Sequence, residues 1–276
     1  MRLGGQVFLE DKNPESWAQA LEAAGFRATT CPVSGDDPAE LDDYMREARR
    51  RDILISEVGA WSNPISRDEE TRRQAVACCI RRLELAERIG AQCCVNIAGS
   101  RGEQWDGPDA DNFSGETFEL IVETTRQIID AVKPERTVFA LEMMPWVFPD
   151  SADTYLALLK AIDRKGFGVH FDPVNIVSSP RAYYRTGEMI RDFFAKLGPH
   201  IRNCHAKDIL LRGQLTVHLD EVIPGQGNLD YRTFLTELNK LHPDTTLIID
   251  HLSTNEEYRQ AADYIRRTAA ELKIAL

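Results

Sequence analysis

The chain has 276 residues, 43% hydrophobic and 28% charged, which is enough for a sizeable buried core and too apolar for a fibrous or disordered chain. Lys and Arg number 33 against 44 Asp and Glu, and the resulting net charge of −11 disfavours a protein that tracks a phosphate backbone. No apolar run approaches the ~20 residues of a bilayer span, and the N-terminal segment meets Glu10-Asp11-Lys12 before a secretory core can form. The expectation is therefore a cytoplasmic protein with neither a nucleic-acid nor a membrane partner.

Short apolar runs alternate with longer amphipathic ones from end to end. The first run, Leu3 to Leu9, precedes a helix opened by Asn13-Pro14, a capping residue with Pro in the first turn. Arg27 to Val33 precedes a second helix opened in the same way by Asp37-Pro38. Ile53 to Val58 leads into the long pattern from Asp68 to Ile89, closed by Gly90 as a C-cap. Cys93 to Ala98 precedes a helix over Ser114 to Val132, and Val138 to Met143 one over Ser151 to Lys165. Gly168 to Pro173 is followed by Thr186 to Leu197, Ile201 to Lys207 by Tyr231 to Leu241, and Thr246 to Leu252 by Asn255 to Leu272.

Each strand run is short, apolar, and bounded by Gly, Pro, Asp or Asn, as a strand buried on both faces should be. Eight strands alternating with eight helices point to an α/β chain folded as a single (β/α)8 TIM barrel. An open doubly wound sheet usually shows a Gly-rich phosphate turn after its first strand, and Leu9-Glu10-Asp11-Lys12-Asn13 is not one. No linker or repeat interrupts the chain, so one domain over 1–276 is expected. Its six cysteines include two adjacent pairs, Cys78-Cys79 and Cys93-Cys94, and no CxxC spacing; they read as small, reduced core residues.

In such a barrel the chemistry lies at the C-terminal strand ends. Strands five to eight end on Glu142, Asp172, His205 and Asp250. Taken singly, each has an ordinary reading: a strand-end surface residue, a turn starter before Pro173, a core histidine, a helix cap. Taken together, three carboxylates converging in a barrel mouth would repel one another without a cation. One divalent ion held by three carboxylates and an imidazole accounts for all four. An oxygen-rich set favours Mn2+, Mg2+ or Co2+, with Zn2+ also compatible.

The segments Leu141-Glu142, Phe171-Asp172, His205-Ala206-Lys207-Asp208 and Gly225-Gln226-Gly227-Asn228-Leu229-Asp230-Tyr231 resemble the xylose-isomerase-like TIM-barrel superfamily, along nearly the whole chain. The resemblance implies a metal-dependent isomerase or epimerase of a keto-sugar, keto-inositol or related polyol, working through a metal-stabilised enediolate. It implies the metal ligands Glu142, Asp172, His205 and Asp250. Glu142 would be the base, with Asp250 or a water near it returning the proton. Substrate contacts are expected from Glu57, Trp61, Trp105, Trp146, Asn175, Lys207 and Asp208, and Lys207 and Asp208 could instead orient His205.

Two positions depart from the family pattern: strand eight carries Asp250 where ketose-converting relatives usually have Glu, and Asn175 stands where the ketose epimerases place a His. Both raise one alternative, a lyase or dehydratase using the same enolisation; a non-catalytic sugar-binding barrel is a further one. His170 reads as a buried polar partner, His251 as pointing away from Asp250, and the segment from Gly99 to Gly115 as a candidate lid. The partner expected is a small carbohydrate, in a chain that could assemble as a homo-oligomer by analogy with relatives.

Overall fold

The computed structural model describes residues 1–276. Its elements run β1 (Arg2–Gly4), α1 (Pro14–Ala23), β2 (Ala28–Thr30), α2 (Pro38–Arg50), β3 (Leu54–Gly59), α3 (Glu69–Ile89), β4 (Cys93–Asn96), α4 (Gly115–Val132), β5 (Phe139–Leu141) and α5 (Ala152–Ile162). They continue with β6 (Phe167–Phe171), α6 (Pro180–Tyr183), α7 (Thr186–Leu197), β7 (Ile201–Ala206), β8 (Asp208–Arg212), β9 (His218–Val222), α8 (Tyr231–Leu238), β10 (Thr246–Ile249) and α9 (Asn255–Glu271).

Eight parallel strands close into one barrel in the order β1, β10, β7, β6, β5, β4, β3, β2, with helices between them. This is the expected (β/α)8 architecture. The antiparallel pair β8–β9 is an addition that the sequence reading did not anticipate.

Local chemistry sets where the helices begin. Asn13 caps α1 in a reciprocal box with Ser16, Ser151 caps α5 with Thr154, and Thr254 caps α9 with Glu257. Asp37, Asp68 and Ser114 cap α2, α3 and α4 through side-chain oxygens. Gly90 ends α3 at φ 73°, a left-handed position that favours glycine. The strands are shorter than their apolar runs. β1 ends at Gly4, and farther on the Phe8 backbone pairs with a side chain at the start of α9: its N–H donates to Asn255 Oδ1 (2.9 Å), and its carbonyl accepts from Asn255 Nδ2 (2.8 Å).

Contacts within the chain cluster into two compact units. The first comprises 1–56, 172–195 and 203–276. In it β1 pairs with β10 and β2, and β10 pairs with β7, setting Thr246 opposite Asn203 and Ile248 opposite His205. The Thr246 hydroxyl donates to Asn203 Oδ1 (3.0 Å) and lies 2.6 Å from Ser56 Oγ, so this buried polar set is mutually satisfied.

The second unit comprises 57–171 and 196–202. Here β3, β4, β5 and β6 pair in turn around an apolar cluster of Cys93, Val95, Val138 and Ala140. All six cysteines carry free thiols, as expected, and burial pushes the Cys79 thiol up to about 12. Tyr155, fully buried, ties the ends of β5 and β6 together. Its hydroxyl accepts from the N–H groups of Leu141 (3.2 Å) and His170 (3.3 Å) and lies 2.8 Å from the Leu141 carbonyl. No helix is long and apolar enough to cross a membrane.

Candidate metal centre

Asp172 follows β6 directly, and its two oxygens face different partners. Oδ1 accepts from the backbone amides of Val174 (3.0 Å) and Asn175 (3.4 Å), so the residue does start a turn. Oδ2 faces Lys207 Nζ at 2.8 Å and His205 Nδ1 at 3.6 Å. Asp250, one residue past β10, likewise turns Oδ2 toward His205 Nδ1 and Lys207 Nζ, each 3.4 Å away.

Burial works to raise the Asp172 carboxyl, but the Lys207 ammonium and His205 outweigh it and hold the group well below the usual carboxylate range. Asp250 is lowered in the same way, against burial, by His205, Lys207 and His251.

Lys207 was expected to meet substrate oxygens or to orient His205. Its side chain is only 1% exposed and closes on these carboxylates, with Glu221 Oε2 4.0 Å from its nitrogen. The Tyr231 hydroxyl donates to its backbone carbonyl (2.8 Å), fixing the chain at the end of β7.

Asp208 spends both oxygens on backbone amides. Its Oδ1 accepts from the amides of Ile209 and Leu229 (2.9 Å each), and its Oδ2 from Gly225 (2.9 Å) and Gly227 (3.0 Å). The approach is so close that a Cβ on Gly227 would stand 2.3 Å from Oδ1. The carboxylate thus joins the HAKD and GQGNL segments and delivers Asp230, which caps α8.

His251 does not point away from Asp250. The chain leaves β10 at Ile249, and His251 takes a left-handed backbone (φ 58°) that breaks strand alternation. Its Nε2 comes 3.5 Å from Asp250 Oδ2 and its Nδ1 3.2 Å from Glu221 Oε2. The Glu221 hydrogen bond raises His251 above its ordinary value, against burial. Glu221 lies on β9 and escaped the sequence reading with the rest of that hairpin. Part of the signal was present: past Gly213, Leu215, Val217 and Leu219 alternate with polar residues.

In the second unit Glu142 follows β5, buried, its N–H donating to the Asn96 carbonyl (2.8 Å). Glu57, on β3, is buried with its Oε2 3.8 Å from His170 Nδ1, which gives His170 the buried-partner role expected of it.

Trp61 follows the same strand. A Cβ on Gly59 would meet its indole nitrogen at 2.4 Å, so the missing side chain lets the ring fold over the strand end. Gly59 and Glu57, two residues apart, share a strand face. Trp61 is 47% exposed and Trp105 40%, and Trp146 is half-buried with its indole N–H on the Asp106 carbonyl (2.6 Å). The expected lid is in fact tied down. The Asn112 side chain donates to the carbonyls of Gly107 and Trp146 and accepts from the Arg101 amide, and Asn63 bonds Ser100 twice.

Asp172, His205 and Asp250 meet at one point: Oδ2 of each aspartate lies within 3.6 Å of the same imidazole nitrogen. This group fits a divalent ion on its own chemistry. It is oxygen-rich, has one imidazole nitrogen, and contains an Asp whose other oxygen is already engaged by backbone amides. Asn175 stands beside it through its amide contact with Asp172, half-buried.

Residues 9–268 match the family model described as xylose isomerase-like TIM barrel. Among solved structures, the chain is similar to a D-tagatose 3-epimerase-like protein (TM-score 0.76, 20% identity, 99% of this chain and 98% of that one). It is also similar to endonuclease IV from Thermus thermophilus (TM-score 0.74, 15% identity, 98% and 100%). A third is a xylose isomerase-like TIM barrel protein from Mycobacterium smegmatis in complex with magnesium (TM-score 0.70, 16% identity, 98% and 97%). No curated protein sequence matches at a significant level. At these identities the likeness speaks for the fold, and the reaction has to be argued from the side chains.

Proposed function

The chain belongs to the xylose isomerase-like TIM barrel family, and we propose that it is a divalent-metal-dependent isomerase or epimerase of a keto-sugar, keto-inositol or related polyol. One observation carries the reading: Asp172, buried, and Asp250 each turn one oxygen to His205 Nδ1, at 3.6 and 3.4 Å, and the sequence pattern adds Glu142 as a fourth ligand.

These four residues would hold the ion, for which Mn2+ is proposed and Mg2+, Co2+ and Zn2+ suit the same donors. When bound, a divalent ion polarises a substrate carbonyl and the hydroxyl beside it, acidifying the C–H between them. Glu142 takes that α-proton. Asp250, or a water it holds, returns a proton to the carbon. His205 offers Nδ1, which is aimed at both aspartates. Trp61, folded over the end of β3 on the Glu57 side, offers an apolar face to the substrate's C–H groups.

A second reading, elimination of a β leaving group from the same enolised substrate, has an observation of its own. Asp250 Oδ2 already faces His205, Lys207 and His251, and its side chain is a methylene shorter than Glu. Those contacts tie it to the charged cluster more than to a substrate carbon. If no proton is returned, expulsion of the leaving group is the outlet.

Elemental analysis of the parent, Glu142→Ala and Asp172→Ala after Mn2+ loading tests the centre. The expected result is about one tightly held ion in the parent and loss of binding in both variants. Proton exchange in D2O across a panel of keto-sugars then separates the readings. Deuterium entering without elimination supports the isomerase, and release of water or an aglycone supports the lyase. A parent that holds no ion under any loading overturns both.

A further inference from the structure

The proposed chemistry gives no part to Lys207, yet its ammonium is the group nearest the two aspartates. It lies 2.8 Å from Asp172 Oδ2 and 3.4 Å from Asp250 Oδ2, with a side chain only 1% exposed. We propose that Lys207 is a built-in counter-cation of the metal centre, which holds down the site's affinity for its divalent ion by neutralising the same two carboxylate oxygens that would ligate it. The inference rests on the metal reading above.

Which oxygens are involved decides the matter. Asp172 Oδ1 is engaged by the Val174 and Asn175 amides, so Oδ2 is the atom left for a cation, and Oδ2 is the atom that Lys207 meets. On Asp250, Oδ2 faces both His205, a proposed ligand, and Lys207. Ammonium and metal therefore address the same pair of atoms.

Charge points the same way. Asp172 and Asp250 present two negative charges to a divalent ion, and Lys207 already balances one of them in the metal-free site, which eases the burial of the pair. Without the lysine, the carboxylates would present a full unit more of negative charge to the same ion. At a separation of about 5 Å, repulsion between an ammonium and a divalent ion outweighs a tenfold change in binding even at an effective dielectric of about 20. The Lys207 backbone is held by Tyr231, and its nitrogen has Glu221 as a further carboxylate 4.0 Å away.

The test is titration of the purified protein with MnCl2, reading free Mn2+ by electron paramagnetic resonance, for the parent, Lys207→Met and Lys207→Arg. Lys207→Met, of similar length and uncharged, is expected to bind Mn2+ at least about tenfold more tightly. Lys207→Arg, which keeps the charge, should stay near the parent.

Removing the ammonium also leaves two buried carboxylates side by side, so the Met variant should unfold at lower temperature without metal and gain more from Mn2+ than the parent does. Should it fold only when metal is present, chelator competition on the loaded form reads the same difference as slower Mn2+ release. Equal or weaker binding by Lys207→Met overturns the inference and leaves the metal centre standing. A parent that binds no Mn2+ overturns both.

Discussion

Asp208→Asn separates a carboxylate that latches a loop from one that serves a substrate. In the structure Asp208 accepts four backbone amides, two on each oxygen. Ile209 and Leu229, on Oδ1, are buried, whereas Gly225, on Oδ2, is exposed and Gly227 half-buried. Asn can offer one oxygen only. It should keep that oxygen on the buried pair and turn its NH2 to the glycines, where water can take over part of the bonding. Each buried donor left unpaired costs about 1–3 kcal/mol, so the wetter side brings the total to about 2 kcal/mol. Asp208→Ala strands the buried pair as well and should cost about 4 kcal/mol. For a chain of this size these losses lower the thermal midpoint by roughly 4–8 °C and 8–16 °C. Calorimetry of the three proteins gives the order directly. An Asn variant as stable as the parent, or as damaged as the Ala variant, would refute the latch.

Two further perturbations probe the supports of the barrel mouth. Tyr155→Phe removes the hydroxyl that reaches the backbone of Leu141, Gly168 and His170, whose groups keep their β5–β6 pairing. Urea unfolding should show a loss of about 1 kcal/mol, and a change under about 0.3 kcal/mol would mean that the hydroxyl ties nothing. Asp52 tests the charges between β1, β2 and the loop after α2. The hydrogen bond from Arg2, with Arg27 adding to it against slight burial, lowers its carboxyl below the ordinary 3.8. Because the folded value is the lower one, this contribution is present above the unfolded pKa and is lost as pH falls through the folded value. Asp52→Asn, which tolerates the left-handed backbone there (φ 51°), should shrink the drop in thermal midpoint between about pH 6 and about pH 3. The exposed site limits the effect to under about 1 kcal/mol, and an unchanged drop would count against it.

Much of the fold was legible because barrel strands and amphipathic helices write different periods. The capping residues Asn13, Asp37, Asp68, Ser114 and Ser151 marked helix starts that the structure places within a residue. Strand ends were less legible. Val7, Phe8 and Leu9 have the composition of a strand, but which backbone pairs with theirs is settled by Asn255, some 250 residues away. The hairpin β8–β9 was hidden for another reason. Its residues alternate only partly and carry charge, as is open to an exposed ribbon outside the barrel.

The strand-end reading singled out Glu142, Asp172, His205 and Asp250 because each stands at or near the end of a barrel strand, where an ionisable side chain is anomalous. It did not find what those groups face, since partners at a barrel mouth come from different strands and their side-chain directions depend on how each strand ends. Lys207 continues the inward face of His205 and so turns to the carboxylates, while Asp208, next in the chain, turns to the GQGNL amides. His251 would have faced outward had β10 continued, and a single left-handed residue brings it back onto Asp250. Strand parity thus separates Lys207 from Asp208 correctly, whereas His251 needs the backbone dihedral that parity cannot supply. The cations of the cluster, more than its carboxylates, are where a sequence of this family leaves its chemistry unwritten, and they are also what sets how strongly those carboxylates attract an ion.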